Sequence, residues 1–203
     1  MVLKYMFPLL GGLAVIALTS FALSGPAAAE PRSYRLDQEH MNIAFLVQHL
    51  NFARVLGVFH EAEGSIVFDE EGLVLQSIDV SVATASVDTR HEARDRHLRS
   101  GDFLDSDNYP EMIFTMNGAQ KTSERTGAIT GSLTLAGETR PMILDVTWID
   151  AGNYPFGDRH YAIGISARGS ILRSEWGMTY GVADGLVGDE IEIIIEAELI
   201  RED

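Results

Sequence analysis

Residues 190–199 read EIEIIIEAEL, and their alternation is the clearest structural signal in the chain. Every second residue from Ile191 to Leu199 is apolar, and the residues between them are glutamates except for Ile194. A period of two is typical of a β-strand with one face in the core and the other in water. This stretch therefore predicts a long, half-buried strand near the C-terminus.

The same alternation occurs through most of the chain. It predicts further strands at 41–49, 55–60, 64–69, 77–82, 112–117, 128–135, 142–148 and 160–171. Eight or more antiparallel strands suggest a barrel or a sandwich, and a closed barrel of eight strands is just wide enough for one small ligand. The pattern leaves open whether the apolar faces enclose a packed core or a cavity.

One segment departs from the alternation. Residues 88–100 predict a helix, with Asp88 or Thr89 as the N-cap and Glu92 in its first turn. Its arginines alternate with acidic residues, so the default interpretation is a solvated helix with internal ion pairs. The alternative is that one or two of these arginines lie at the mouth of a cavity, where a guanidinium can anchor a carboxylate or a pyrophosphate.

The N-terminal residues are typical of an export signal. Lys4 is the only charged residue in 1–29, and it is followed by the apolar run 7–23 and by three alanines at 27–29. The run is shorter than the roughly 20 residues that span a bilayer. We therefore expect cleavage after Ala29, a single domain over 30–203, and a mature protein that is not integral to the membrane.

Composition excludes several functional classes. The chain has no cysteine, which removes disulfides, thiol chemistry and Cys-ligated metals. It has 30 acidic and 15 basic residues, and cleavage of the predicted signal would make the balance more negative by one charge. Because nucleic-acid affinity depends on neutralising phosphates with Lys and Arg, we expect no nucleic-acid partner.

Motifs that carry catalytic chemistry are incomplete in this sequence. His60-Glu61 and His91-Glu92 begin like zinc-protease helices, but neither has a second histidine four positions after the first. The six histidines form no tight cluster along the chain, although strand pairing can bring distant ones together. We predict no catalytic residue and no metal ligand, and we keep as the alternative a metal-dependent hydrolase or isomerase built on barrel histidines.

Short blocks spread over the chain resemble the YceI-like family. They read YRLD (34–37), EH (39–40), IAF (43–45), HL (49–50), GVF (57–59), RDRHLRS (94–100), DFLD (102–105), YP (109–110), IF (113–114), GSLTLAGETRP (131–141) and RSEWGM (173–178). The blocks cover nearly all of 33–200, and their combination is specific although no single block is. Trp176 departs from the family pattern, where Phe is expected.

The resemblance implies a periplasmic, non-catalytic protein with an extended, eight-stranded, lipocalin-like antiparallel barrel and one short helix. Its hydrophobic tunnel would bind a polyisoprenoid, a quinone-like lipid or another long-chain amphiphile, with no cofactor. A homodimer is left open, as is an interaction protein with a vestigial cavity. The residues expected to bind ligand are Phe45, His49, Phe59, His97, Phe103, Phe114, Leu144, Arg173 and Trp176, with His49, His97 and Arg173 offered to a polar head group.

Overall fold

A computed structural model describes residues 30–202, and the predicted signal at 1–29 lies outside them. The described residues are mostly β-structure with one short helix, as expected. The strands are β1 (Arg32–His49), β2 (Ala53–Phe59), β3 (Ala62–Asp69), β4 (Val74–Ala83), β5 (Val87–Asp88), β6 (Glu111–Lys121), β7 (Thr126–Leu135), β8 (Glu138–Asn153), β9 (Tyr161–Leu172) and β10 (Val187–Arg201), and the helix α1 is Glu92–Leu98.

Eight of these strands close into an antiparallel barrel. The order around it is β1-β3-β4-β6-β7-β8-β9-β10, and β10 pairs again with β1 to close the sheet. The predicted strand at 190–199 is the central part of β10. This strand pairs with β1 along one edge and with β9 along the other. The prediction of an eight-stranded barrel is confirmed.

The remaining two strands extend the barrel on one side. β2 pairs with residues 43–49 of β1, while β3 pairs with residues 32–35, so both strands lie along the same edge of β1. The short β5 pairs with the end of β2 and leads into α1. This extension places α1 against one end of the barrel, which we call the helix end.

The helix is shorter than the sequence predicted. Its N-cap is His91, whose Nδ1 accepts a hydrogen bond from the backbone N–H of Arg94, and not Asp88 or Thr89. Arg90 has a φ of 63°, which a helix cannot contain. Thr89 instead donates its backbone N–H to the buried carboxylate of Asp95 over 2.9 Å, and this contact fixes the start of α1.

The opposite end carries the β6–β7, β8–β9 and β3–β4 connections, and we call it the hairpin end. The apolar core runs between the two ends along the inner faces of the strands, from Ile66 and Ile163 to Val87 and Leu135. Within the described residues, no helix combines the length and apolarity needed to cross a membrane.

Candidate functional site

The inner faces of the strands enclose a cavity of about 800 Å³. This volume is typical of sites for small molecules and cofactors. Its wall includes residues from the helix end, such as Leu98 and Phe103, and from the hairpin end, such as Thr126, so the cavity follows the barrel axis. The sequence left open a packed core or a cavity, and the fold contains a cavity.

The structure brings together most of the residues predicted to bind ligand. Those that line the cavity are Phe45, His49, Phe59, His97, Phe103, Phe114, Leu144 and Arg173. They come from seven separate elements or loops, which shows how the closed sheet assembles positions that are distant in sequence.

Trp176 does not line the cavity. It ends a 3-10 turn, Arg173–Trp176, that is capped by Gly177 with a φ of 80°. Its ring is buried, with 2% of the residue exposed, and its indole N–H donates to the carbonyl of Leu133 over 3.1 Å. The turn leaves the strand alternation, so the indole fastens the loop after β9 to β7.

Glycines make room for two of the cavity's phenylalanines. Gly57 lies directly across from Phe45, and a Cβ built on it would approach the Phe45 ring to 2.2 Å. Gly131 lies beside Phe114 in the same way, at 2.3 Å. Each ring therefore occupies the space that a side chain at the glycine would need, so it packs directly on backbone.

Arg173 is a buried hub at the helix end, with 2% of the residue exposed. Its Nε donates to the carbonyl of Gly188, its Nη1 to that of Met178, and its Nη2 to those of Tyr180 and Val187, over 2.5 to 2.9 Å. Four of the five guanidinium N–H groups are thus committed to backbone carbonyls. Burial lowers the pKa of Arg173 from its usual value, which the carboxylate of Asp189 opposes.

The loop around Arg173 is fixed by a second set of contacts. Asp189 accepts from the backbone N–H of Ser174 over 2.9 Å and from its hydroxyl over 2.7 Å. Gly181 and Gly185 both have a φ of 67°, which lets the segment after the 3-10 turn fold back over the cavity.

Three aromatic rings pack together at the helix end. His97 lies edge to face with Phe103 at 5.0 Å and with Tyr180 at 4.8 Å between ring centroids. His97 also hydrogen-bonds Asp102 over 2.9 Å, and the guanidinium of Arg173 lies 5.5 Å from the centre of the Phe103 ring. All three rings line the cavity, and we call them the aromatic gate. Sequence reasoning missed Tyr180, which lies in an irregular loop without periodicity.

The hairpin end holds a different polar group. The hydroxyls of Tyr34 and Tyr161 both donate to the carboxylate of Glu70, the latter over 2.6 Å, and Arg201 lies 4.3 Å from the centre of the Tyr161 ring. The hydrogen bond to Glu70, followed by burial, raises the pKa of Tyr161 to about 12. Burial, reinforced by Glu70, raises the pKa of Tyr34 further.

The charges that line the cavity are confined to its two ends. Arg94, His97 and Arg173 lie at the helix end, while Lys121, Glu124 and Arg125 lie at the hairpin end. Arg94 is tied to Thr89, because its Nε and Nη2 donate to the hydroxyl and carbonyl of that residue over 2.7 and 2.8 Å. Between the ends the wall is apolar, so the arrangement suits an elongated apolar molecule with a polar terminus.

The histidines do not assemble into a shared metal site in residues 30–202. The group of metal-ligating side chains found there consists of Asp37, His40 and Glu198, and it lies on the outer wall. His160 is stacked on Tyr154, which also contacts His40, but its Nδ1 is bonded to Asp158 over 2.7 Å. The alternative of an enzyme built on several barrel histidines therefore has no support from their placement.

Comparison with known proteins agrees with this architecture. The model of the YceI-like domain matches residues 34–199. A UPF0312 protein of Pectobacterium carotovorum is 34% identical over 190 residues, which cover 94% of this chain and 96% of that protein. The crystal structure of a Campylobacter jejuni YceI protein is similar at a TM-score of 0.70 and 32% identity, over 77% of this chain and 90% of that one.

A more distant structure shares the fold. It is described as a polyisoprenoid binding domain from Saccharophagus degradans, and it matches at a TM-score of 0.61 and 13% identity. The match covers 84% of this chain and 99% of that domain.

Proposed function

The chain belongs to the YceI-like family, and from that premise and its cavity we propose that it is an exported, non-catalytic carrier of a polyisoprenoid or a similar long-chain amphiphile. The observation that carries the proposal is the continuous apolar cavity of about 800 Å³, with charged residues only at its ends. The name of the Saccharophagus domain supports the choice of ligand class.

The physical reason for such a carrier is the insolubility of the ligand. Burial of each CH₂ group is worth about 0.8 kcal/mol, so a prenyl chain of several units leaves a membrane only for a site that buries it equally well. The middle of the cavity wall offers apolar side chains alone, which matches this requirement. Cleavage of 1–29 would place the carrier in the periplasm, where such lipids need a route through water.

The terminus of the ligand would lie at one of the two ends. At the helix end, His49 and His97 line the cavity and carry ring nitrogens for a hydroxyl or a carbonyl. Arg173 lies there as well, with one N–H beyond the four that bind backbone carbonyls. We place the polar group of the ligand in contact with these three residues, and the prenyl chain against Phe45, Phe59, Phe114 and Leu144.

A matched pair of variants on β8 tests the proposal. Val146 lines the cavity opposite Gly127 and Ala167, so Val146→Phe fills the lumen where its neighbours are small. Thr147 is the next residue and faces outward, so Thr147→Phe adds the same ring to the exterior. The protein is refolded without lipid, offered a polyprenol, and examined by native mass spectrometry.

We expect one polyprenol bound to the wild type and to Thr147→Phe, and reduced occupancy in Val146→Phe. A wild-type barrel that refolds and takes up no polyprenol overturns the assignment of ligand class. Equal uptake by all three proteins shows that the lipid binds outside the cavity, which contradicts the proposed site.

A further inference from the structure

A bulge in β1 brings three ligating side chains together on the outer wall. Leu36 pairs with Leu199 and Met41 pairs with Ala197, so four residues of β1 lie opposite the single residue Glu198. Leu36 and Met41 are five positions apart, yet both face the side of the sheet that Leu199 and Ala197 occupy. Extra residues in one strand are known to redirect side chains, and they often lie beside functional sites.

The redirected residues are Asp37 and His40, which would face opposite sides of a regular strand. Here the Nδ1 of His40 lies 2.8 Å from Oδ2 of Asp37 and 3.9 Å from Oε2 of Glu198. All three ligand atoms lie within 4.8 Å of one another. In a tetrahedral site with bonds of 2.0–2.2 Å the ligand atoms are about 3.4 Å apart, so changes of about 0.5 to 1.5 Å in their separations would complete the geometry.

Two features distinguish this group from an ordinary surface ion pair. The side chain of Asp37 is only 8% exposed. Oε2 of Glu198 is inaccessible to solvent and accepts no hydrogen bond from residues 30–202. A buried acceptor without a donor costs about 1–3 kcal/mol, and a bound cation would remove that cost.

The other histidine–aspartate pairs of the described chain lack these features. His60–Asp88, His97–Asp102 and His160–Asp158 have similar separations of 2.7 to 3.1 Å, but their aspartates are 41% to 79% exposed. Within residues 30–202, only the pair at the bulge has a third ligand atom in range.

Tyr154 completes the surroundings of His40. Its hydroxyl lies 3.5 Å from Nε2 of His40, on the side of the ring away from the two carboxylates. A metal-bound histidine usually donates its second ring N–H to an oxygen acceptor, which fixes the tautomer that leaves the other nitrogen free to ligate, and the hydroxyl oxygen of Tyr154 is placed to accept it. The tyrosine ring is held in turn by His160, which stacks on it at 4.7 Å.

We propose that Asp37, His40 and Glu198 bind a divalent transition-metal ion of the Zn²⁺ type between β1 and β10. One imidazole and two carboxylates are ligands that Zn²⁺ accepts, and three protein ligands leave a position for water. The site is separate from the lipid cavity, and it would fasten the two strands that close the barrel. The proposal does not depend on the identity of the lipid.

Isothermal titration of the untagged, chelator-treated full chain with Zn²⁺ tests this site. We expect one equivalent to bind to the wild type, affinity reduced at least about 10-fold in His40→Ala and in Glu198→Gln, and unchanged affinity in the control His60→Ala. Zn²⁺ should also raise the unfolding temperature of the wild type but not that of His40→Ala. The visible spectrum of the Co²⁺ form should show tetrahedral bands only when His40 is present.

Other results would contradict the proposed metal site. If His40→Ala binds Zn²⁺ as the wild type does, or if His60→Ala loses as much affinity, the site is wrong. Several weak equivalents that no variant alters would reflect the acidic surface in general and would also overturn it. Circular dichroism of each metal-free variant shows whether the barrel is folded, and Glu198→Gln is nearly isosteric, so it gives a decisive result even if His40→Ala misfolds.

Discussion

The two ends of the barrel each hold a charge, fully buried at one end and partly buried at the other, and they stabilise it with different groups. At the helix end the cation of Arg173 is surrounded by four backbone carbonyls of the segment 178–188. At the hairpin end the carboxylate of Glu70 accepts the hydroxyls of Tyr34 and Tyr161. One charge organises a loop, while the other links three side chains from different strands and turns.

This difference determines which end can respond to pH. A guanidinium stays protonated at any pH at which the protein is folded, and its carbonyl partners do not titrate. The hairpin end instead depends on two phenols, whose pKa values lie above their ordinary value because Glu70 and burial disfavour the phenolate. We therefore expect the helix end to be insensitive to alkali and the hairpin end to weaken in it.

The largest loss of stability should come from replacing Arg173 at the helix end. Arg173→Met keeps the volume but leaves the carbonyls of Gly188, Met178, Tyr180 and Val187 without their donor. Unpaired buried carbonyls are costly, so we expect the free energy of unfolding to fall by about 3–5 kcal/mol, as measured by urea denaturation.

The control for this variant is Arg54→Met. Arg54 is half exposed and pairs with Glu192 on the outer surface, so its loss should change the same free energy by no more than about 0.5 kcal/mol. If Arg173→Met lowers the free energy of unfolding by less than about 1 kcal/mol, as a surface variant would, then Arg173 does not organise the loop. The two ends would then not differ in the way described.

A smaller effect, with a pH signature, is expected at the hairpin end. Tyr161→Phe removes one hydrogen bond to a carboxylate and should cost about 1–2 kcal/mol at neutral pH. In the wild type this stabilisation is fully present below pH 10, the ordinary pKa of the phenol, and is lost as the pH rises through the folded-state pKa of about 12. The difference in the free energy of unfolding between the wild type and Tyr161→Phe should therefore become smaller as the pH rises from about 10 to about 12.

Urea denaturation repeated at increasing pH measures that gap. Tyr109→Phe is the matched control, because the hydroxyl of Tyr109 forms no hydrogen bond to the part of the chain that the structure describes, and it should follow the wild type throughout. A gap that stays constant through the alkaline range would show that the Tyr161 hydroxyl does not owe its stabilising role to Glu70.

The strands of the barrel were predictable because each has one wet face. β10 is the clearest case, since glutamates at four of its outward positions make the period of two unmistakable. β1 was predicted only from residue 41, although it begins at Arg32. The bulge at 37–40 interrupts the alternation, so the region that places Asp37 beside Glu198 is also the region where periodicity gives no register.

Cavity-lining positions are easier to recognise from the sequence on strands than in loops. Inward strand positions such as Phe114 and Leu144 follow from alternation once the barrel closes. The position of Trp176 depends on the 3-10 turn and on a left-handed Gly177, and that of Tyr180 depends on carbonyls that bind Arg173. Such contacts are non-local, and no pattern in 173–186 encodes them.

The smallest effect concerns the aromatic gate, and it rests on the proposed lipid-binding function. Tyr180→Ala removes two ring contacts, with His97 and with Phe103, while the strands that form the wall stay intact. Because an aromatic pair contributes about 0.5–1.5 kcal/mol, we expect release of a fluorescent prenyl lipid to be about 3- to 10-fold faster, as measured by stopped-flow exchange into vesicles. Phe156→Ala serves as the control, since this exposed ring lies in the β8–β9 connection at the hairpin end and does not line the cavity. Faster release in Tyr180→Ala alone would identify the helix end as the exit, whereas equal rates in both variants would contradict a gate there.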